Sequence, residues 1–289
     1  MIAGGRRYIV YGSRSDEITL WSLADIHYGN RGVAKDRLKT DFEDIETNPR
    51  AFWMGVGDYA DYIGYRDSRF DPEVIDESIA VKDLGSLGRR LTGDVREMFR
   101  PIERKCIGLM EGNHERSYEV YTEQQQLAQW LATELNTLWL GYCCFVDLIF
   151  VRHSGQKVKL LPMGAQPPPP HGHERWGVRI FAHHGAGFAQ TPGGKLNTLI
   201  RFMDYFQADL TIVAHIHDQT AKRQSRLRAD RHCRKIVEIP QLGIITGSYL
   251  RAYAEGAAGY GERKGYRPVP LGAVPVKFIP DKREMRAEV

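Results

Sequence analysis

The chain has 289 residues, 42% of them hydrophobic, which is enough to bury one large core in a single domain spanning residues 1–289. It contains no run of about 18 apolar residues, and residues 1–7 lack the apolar segment of a signal peptide. We therefore expect a cytoplasmic protein that does not enter a membrane. Its 40 basic residues barely exceed its 36 acidic ones, so net charge excludes no class of partner. The four cysteines form no CxxC pair, which argues against a disulfide framework.

The first part of the chain is predicted to contain three short apolar strands, each of which ends in a polar motif. Residues 33–47 should form a helix after the first strand, because Leu38, Phe42 and Ile45 recur at the spacing of one apolar stripe. Residues 71–104 are rich in charge and are predicted to be mostly helical. The strands cover residues 18–25, 51–56 and 106–110, and their ends carry Asp25-Ile26-His27, Gly57-Asp58 and Gly112-Asn113-His114.

The second part of the chain is also predicted to alternate helices with strands, a pattern that favours a layered α/β fold. Residues 161–176 contain four consecutive prolines and are expected to form an irregular loop that includes His171 and His173. Residues 249–289 form a C-terminal tail whose first part is rich in Tyr, Gly and Arg. The predicted helices cover residues 122–135 and 193–206, one strand or hairpin covers 138–151, and further strands cover 177–182, 210–214, 237–246 and 274–279.

The polar motifs are weak evidence one by one and strong evidence as a set. Asp25 and His27 lie two residues apart, so in extended backbone both side chains would project from one face and grip one ion. Asp58 alone could instead cap a helix, and His215 and His217 could belong to an edge strand. All the motifs, however, fall at the carboxyl ends of predicted strands, where open α/β sheets bind ligands. Six of the ten histidines lie in these motifs.

The ordered set of motifs resembles the signature of the calcineurin-like metallophosphoesterases over roughly residues 18–250. The resemblance implies an α/β fold, a four-layer αββα sandwich of two mixed β-sheets flanked by helices, with a dinuclear metal site at the carboxyl ends of the strands. It assigns Asp58 as the residue that bridges the two ions. The motifs that carry it are Asp25-x-His27, Gly57-Asp58, Gly112-Asn113-His114-Glu115, His184-Gly185 and His215-x-His217.

The resemblance also implies the other metal ligands and their chemistry. The first ion would be bound by Asp25, His27 and His217, and the second by Asn113, His184 and His215. Oxygen and imidazole ligands suit manganese, our first choice, and equally iron, zinc, cobalt or nickel. Two such ions about 4 Å apart generate a bridging hydroxide at neutral pH and neutralise the charge of an in-line displacement. His114, which is not needed as a ligand, would protonate the leaving oxygen as general acid.

The fourth motif leaves a choice between two histidines as the metal ligand. His183 and His184 are adjacent, so their side chains would point to opposite faces of a strand and only one should bind metal. We expect His184, because it directly precedes Gly185 as in the His-Gly form of the motif, although other branches show His-x-Pro and leave His183 open.

The stretch GDYAD, residues 57–61, resembles the GDYVD of the serine/threonine phosphatases. That resemblance makes Asp61 the carboxylate that orients His114. Tyr62 and Ile63 follow where that branch has Arg-Gly, so its phosphate-binding Arg is missing here. Arg116 is a candidate replacement, or equally an exposed Arg at a helix start.

Several features bear on the substrate. Seven basic residues between residues 222 and 235 would form a positive wall for nucleic acid if a hairpin placed them beside the metals, or merely a solvated edge. The tail tyrosines Tyr253, Tyr260 and Tyr266 could stack on bases or pack the tail onto the sandwich. Gly193-Gly194-Lys195 could bind a phosphate at a helix start, although glycine is common there. The stretches GSYLRAY and GYRPVPLG resemble phosphoesterases of phage and prophage origin.

These observations rank three expected functions. A phosphodiesterase or nuclease comes first, because of the basic stretch, although no separate DNA-binding domain is recognisable. A phosphomonoesterase, acting on proteins or nucleotides, is the alternative. A non-catalytic scaffold that retained the fold is the third reading, against which the intact ligand set and His114 argue.

Overall fold

The computed structural model describes residues 1–122, 126–169, 175–187, 189–255 and 259–289, and its strands form two mixed sheets. The strands are β1 (Ile2–Tyr11), β2 (Ile18–Leu23), β3 (Ala51–Gly55), β4 (Cys106–Leu109), β5 (Cys143–Arg152), β6 (Lys159–Leu160), β7 (Arg175–His183), β8 (Leu210–Val213), β9 (Thr220–Ala229), β10 (Ile236–Ile245), β11 (Pro275–Ile279) and β12 (Glu284–Ala287). The helices are α1 (Lys35–Thr47), α2 (Leu87–Phe99), α3 (Asn113–Thr122), α4 (Leu127–Glu134), α5 (Pro192–Tyr205) and α6 (Tyr260–Arg263).

The larger sheet has seven strands in the order β6-β1-β5-β7-β8-β10-β9, and the smaller has five in the order β12-β11-β2-β3-β4. The neighbours β2, β3 and β4 are parallel, as are β7, β8 and β10. Parallel neighbours end at the same edge of their sheet, so the loops after these strands lie side by side. This arrangement places the predicted motifs together.

Three apolar clusters give the molecule four layers. The central cluster lies between the two sheets and joins side chains of both, with Phe150 of β5 and Phe278 of β11 at 5.2 Å between ring centroids. A second cluster packs α1, α2 and α4 on the outer face of the smaller sheet. A third packs α5 on the larger sheet through Leu199 and Met203. Helices therefore flank two stacked sheets, and the expected αββα sandwich is confirmed.

Some elements differ from the prediction. The strand β1 was not predicted, because its first six residues include two glycines and two arginines and half of them are exposed. The helix expected over residues 122–135 begins only at Leu127, and a separate helix, α3, precedes it. The charged region 71–104 contains one α-helix and three short 3₁₀ helices. Residues 138–151 contribute one strand, β5, rather than a hairpin.

Two of the expected loops are described only in part. Residues 161–169 have no regular structure, as expected from their prolines, whereas residues 170–174, with His171 and His173, lie outside the described residues. The C-terminal tail ends in the hairpin of β11 and β12, which completes the smaller sheet. None of the helices in the described part of the chain is long and apolar enough to cross a membrane.

Candidate metal centre

The loops at one edge of the two sheets carry every metal-binding residue that the resemblance implied. The loops after β2, β3 and β4 hold Asp25 with His27, Asp58 and Asn113, respectively. The loops after β7 and β8 hold His184 and the pair His215 and His217. Both sheets therefore contribute to one site, and the ligand candidates come from residues almost 200 positions apart.

We expected an extended backbone at Asp25 and His27 from their two-residue spacing. The backbone at these loops is instead not extended. Asp25 has φ 49°, His27 φ 52° and Asp58 φ 53°. His215 and His217 do not share a strand face either, because β8 ends at Val213 and their φ angles are 67° and 44°. Positive φ is unfavourable for residues with a Cβ, by about 1 kcal/mol or more each. Tight left-handed turns, held by the surrounding fold, therefore bring these side chains together.

The side chains converge on three overlapping clusters, one of which joins His27, Asp58 and His114 within 4.8 Å. The ligand atoms of Asp25, His27 and His217 lie within 4.8 Å of one another. Those of Asp58, His184 and His215 do the same. These two groups match the residues that the resemblance assigned to the first and to the second ion.

Asn113 and Asp58 join the second cluster through His184. The Nε2 atom of His184 lies 3.0 Å from the Oδ1 atom of Asn113 and 3.3 Å from the Oδ2 atom of Asp58. The structure therefore brings all seven predicted ligands into one site.

The centre has the electrostatics of a cation site. Asp25 is fully buried and Asp58 is 1% exposed, so their charges need compensation inside the protein. Burial opposes a charge on His184, yet the nearby carboxylates of Asp58 and Asp25 raise the pKa of this imidazole to about 10. The two carboxylates therefore favour positive charge at this point, which a divalent ion would supply.

Two buried polar atoms in the centre also point to a cation. Within the described residues, neither Asp25 Oδ1 nor His27 Nε2 has a hydrogen-bond partner, although both are buried. An unsatisfied buried group of this kind costs about 1–3 kcal/mol unless something binds it. A divalent ion held by these two atoms and His217 would satisfy both, so the residues present fit the metal.

His183 and His184 point to different surroundings. His183 lies among aromatic rings, 4.6 Å from Phe202 between centroids, and its Nδ1 accepts a hydrogen bond from the Gly185 amide at 2.8 Å. Burial lowers the pKa of His183 to about 4. His184 instead faces Asp58 and Asn113. The geometry thus brings His184, and not His183, to the cluster.

Asp61 lies between two histidines of the site. Its Oδ1 atom is 3.2 Å from His27 Nδ1 and 3.6 Å from His114 Nδ1, and its Oδ2 atom accepts a hydrogen bond from Asn30 at 3.1 Å. The side chain therefore bonds to His27 rather than to His114, which differs from the expected pairing. His114 Nδ1 is hydrogen-bonded instead to the backbone carbonyl of Asp61. A carbonyl only accepts, so Nδ1 carries the proton.

Glu115 holds three loop amides in place. Its carboxylate is fully buried and accepts hydrogen bonds from the amides of Asp58 at 3.0 Å, Tyr59 at 2.8 Å and Gly112 at 2.9 Å. The loops after β3 and β4 are thereby fixed to each other beside the metal ligands. Sequence reasoning assigned no role to Glu115, because its partners are backbone groups that no sequence pattern reveals.

A cavity of about 350 Å³ opens beside the centre. Among the predicted residues it is lined by His27, Asp58, Asp61, Asn113, His114, Lys195, His215, His217 and the tail residue Tyr266. Arg116 is not among the described residues that line the cavity; it is exposed and lies 4.0 Å from Glu119. Its position on α3, one residue after the buried Glu115, directs it away from the site.

Arg69 lines the cavity in place of Arg116 and was not predicted. Asp67 holds its guanidinium by two hydrogen bonds, from Nε at 3.0 Å and from Nη2 at 2.7 Å. Lys195 also lines the cavity, but its ammonium donates to the His217 carbonyl at 3.1 Å and lies 3.3 Å from Asp218. The phosphate site proposed at the start of α5 therefore has fewer free donors than expected. The Gly194 amide already donates to the Thr191 hydroxyl, and the Lys195 ammonium already faces Asp218.

The basic stretch does form a hairpin, made of β9 and β10. Two of its arginines contact the sandwich: Arg226 donates to the Met203 carbonyl at 2.6 Å and Arg223 to the Met285 carbonyl at 2.6 Å. Within the described residues, none of its seven basic residues lines the cavity. The hairpin therefore does not form the positive wall that was expected beside the metal centre. Its seven basic residues are Lys222, Arg223, Arg226, Arg228, Arg231, Arg234 and Lys235.

The molecule thus combines an αββα sandwich with Asp, Asn and His side chains that cluster at its strand ends and could hold metal ions. Residues 18–219 match the family described as calcineurin-like phosphoesterase, a match that spans more than half of the chain. The chain therefore belongs to the calcineurin-like phosphoesterases, a family of metal-dependent hydrolases of phosphoesters.

Solved structures with a similar fold cover 94% of this chain at low sequence identity. A metallophosphoesterase from Sphaerobacter thermophilus is 12% identical, with 89% of that chain covered and a TM-score of 0.37. A predicted phosphoesterase from Streptococcus pneumoniae is 9% identical, with 99% covered and a TM-score of 0.32. A mutant of Vps29 from Entamoeba histolytica is 10% identical, with 98% covered and a TM-score of 0.30. No curated protein matches the chain.

Gly112 provides a test of the geometry. A Cβ at this position would overlap the Asp58 carboxylate, so Gly112→Ala should displace Asp58. We expect the variant to bind divalent metal at least about tenfold more weakly, the size of effect seen when groups that orient metal ligands are lost. Calorimetric titration with Mn²⁺ measures this. Gly193→Ala is the matched control, because its added Cβ meets nothing within 4 Å. Equal metal affinity in both variants would contradict the assigned position of Asp58.

Proposed function

We propose that this chain hydrolyses phosphodiesters with two divalent metal ions bound at the cluster described above. The observation that carries the proposal is that residues of both ligand groups line one cavity together with His114 and Arg69. The ion pair would be bound by Asp25, His27 and His217 on one side and Asn113, His184 and His215 on the other, with Asp58 between them. Such ions would hold the phosphoryl oxygens and lower the pKa of a bound water.

His114 is suited to act as the general acid. Burial opposes its charge, but the carboxylates of Asp58 and Asp61 raise the pKa of this imidazole above its usual value. Because Nδ1 is bonded to the Asp61 carbonyl, the nitrogen left for a substrate is Nε2. In hydrolysis a P–O bond forms to water and the P–O bond to the leaving group breaks. The proton of His114 then moves to the departing oxygen.

Asp61 supports this arrangement as a positioning residue. Its backbone carbonyl fixes the ring of His114, and its carboxylate bonds to His27, one of the proposed ligands. A carboxylate on the second nitrogen of a metal-binding histidine fixes the tautomer of that ring and its direction. Asp61 therefore acts through both histidines.

Arg69 is suited to bind the phosphoryl group. Its guanidinium is held by Asp67 through Nε and Nη2, and Nη1 donates no hydrogen bond within the part of the chain that the structure describes. A guanidinium fixed in this way loses little freedom when it binds a phosphate oxygen. Arg69 thus supplies what the missing arginine after Asp61 would supply in the serine/threonine phosphatases.

The cavity has room for the organic groups of a phosphodiester. At about 350 Å³ it lies within the range of about 300–1,000 Å³ that holds a small ligand, so it accommodates organic groups as well as the phosphoryl group. A nuclease activity has weaker support, because the basic hairpin does not line the cavity. A phosphomonoesterase is the alternative, and a scaffold without activity is the third possibility.

Assays with three substrates test the proposed function. With added Mn²⁺, bis(4-nitrophenyl) phosphate should be hydrolysed faster than 4-nitrophenyl phosphate, with single-stranded DNA as the third substrate. Asp58→Asn should lower the rate by at least about tenfold, because it weakens the hold on both ions. Asp147→Asn is a matched control, since Asp147 pairs with Arg179 on the larger sheet away from the centre. Faster turnover of the monoester would overturn the diester assignment. Absence of metal-dependent turnover of all three substrates would refute the proposal that the chain is an enzyme.

Replacing His114 separates the acid from the ligands. His114→Ala should retain both metals and lose about 10²–10⁴-fold in rate with an alkyl leaving group, which needs a proton, but far less with 4-nitrophenolate. Metal analysis and steady-state rates on the two kinds of diester measure this. Loss of both metals in the variant would show that His114 is a ligand instead.

A further inference from the structure

The cavity beside the metal centre is closed on one side by the C-terminal segment, residues 250–255 and 259–269, which we name the C-terminal wall. Backbone hydrogen bonds anchor its start: the Tyr249 amide donates to the Asp25 carbonyl at 3.0 Å and the Arg251 amide to the Gly32 carbonyl at 3.0 Å. The buried hydroxyl of Tyr249 donates to Asp41 at 2.7 Å. The wall is thereby fixed directly to the loop that carries Asp25.

The C-terminal wall is also joined to the loop that follows Asp61. Arg263 of the wall forms an ion pair with Asp71, which lines the same cavity. Asp71 in turn accepts a hydrogen bond from the Glu73 amide at 3.0 Å. Two segments almost 200 residues apart in sequence therefore enclose the space in front of the proposed ions.

Some of the basic side chains that line this cavity are paired with aspartates, and others are not. Arg69, Lys195 and Arg263 each lie within ion-pair distance of an aspartate. Arg251 and Arg267 also line the cavity, and neither has a carboxylate partner among the described residues. The guanidinium of Arg251 donates to the Val33 carbonyl at 3.0 Å, its one side-chain hydrogen bond within the described residues. Two positive charges on the C-terminal wall thus remain available to a ligand.

Two divalent ions in the centre would make the excess of positive charge larger. A phosphodiester carries a single negative charge, which the ions and Arg69 suffice to bind. Arg251 and Arg267 are exposed on the wall and would face a further anionic group of the substrate. Arginine is the side chain best suited to bind such a second phosphate.

We infer that the C-terminal wall is a second anion site, in which Arg251 and Arg267 bind a phosphate group that the substrate carries in addition to its scissile phosphodiester. This inference rests on the proposed function and narrows its substrate class to phosphodiesters with a second phosphate, such as a nucleotide chain end. The basic hairpin of β9 and β10 plays no part in it.

Binding of two nucleotides tests this site without requiring turnover. Calorimetry with Mn²⁺-loaded protein would compare thymidine 3′,5′-bisphosphate with thymidine 5′-monophosphate, which lacks the second phosphate. We expect the bisphosphate to bind at least about tenfold more tightly, from two charge-assisted contacts. The double variant Arg251→Ala/Arg267→Ala should abolish the difference, Arg267→Ala should reduce it and Arg267→Lys should preserve part of it.

The control uses two arginines of the hairpin. Arg228→Ala/Arg234→Ala removes the same charge from exposed positions outside the cavity and should leave the preference unchanged. Equal affinity of the wild-type protein for both nucleotides would overturn the second anion site, as would an unchanged preference in the double variant of the wall. Absence of phosphodiester turnover with an intact, wall-dependent preference would refute the proposed function alone.

Discussion

The buried carboxylate of Asp58 is the group on which the rest of the site depends. It is 1% exposed, one of its oxygens accepts the His114 amide at 2.9 Å, and the other faces the ring of His184 at 3.3 Å. Despite burial, the imidazoles around it hold the pKa of Asp58 well below its usual range. A charged carboxylate in this position requires cations, and the neighbouring side chains are those that bind divalent ions. The loops at the strand ends bring these side chains close to the Asp58 carboxylate.

Close approach of two backbones makes that position possible. Gly57 has φ 95° and lies against the backbone of Gly112, and the carboxylate of Asp58 fills the space that a side chain at Gly112 would take. Glu115 then binds the amides on both sides of this contact. The loops after β3 and β4 therefore act as one rigid unit, to which the loops of the larger sheet are added through hydrogen bonds such as that from the His215 amide to Asp25 at 2.9 Å. Such rigidity favours a site whose ligands need little rearrangement when metal binds.

Much of the fold, and the convergence of the candidate ligands on one site, could be predicted, because each motif is short, continuous in sequence and placed at a strand end. The layered architecture followed from the same pattern. The path of the long loops could not be predicted: Arg69 enters the cavity and Arg116 does not, and no local pattern distinguishes them. The left-handed backbone at Asp25 depends on distant partners, since its amide bonds to Gly57 and its carbonyl to Tyr249. The strand β1 was missed because its polar, glycine-rich start has no apolar alternation.

The central claim is that two ions lie on either side of Asp58, and a crystal structure of the metal-loaded protein with anomalous data tests it most directly. The account predicts two anomalous peaks about 4 Å apart. One should be bound by Asp25, His27 and His217, and the other by Asn113, His184 and His215, with Asp58 contacting both. A single peak at full metal loading, or a second ion bound by His183 in place of His184, would contradict it.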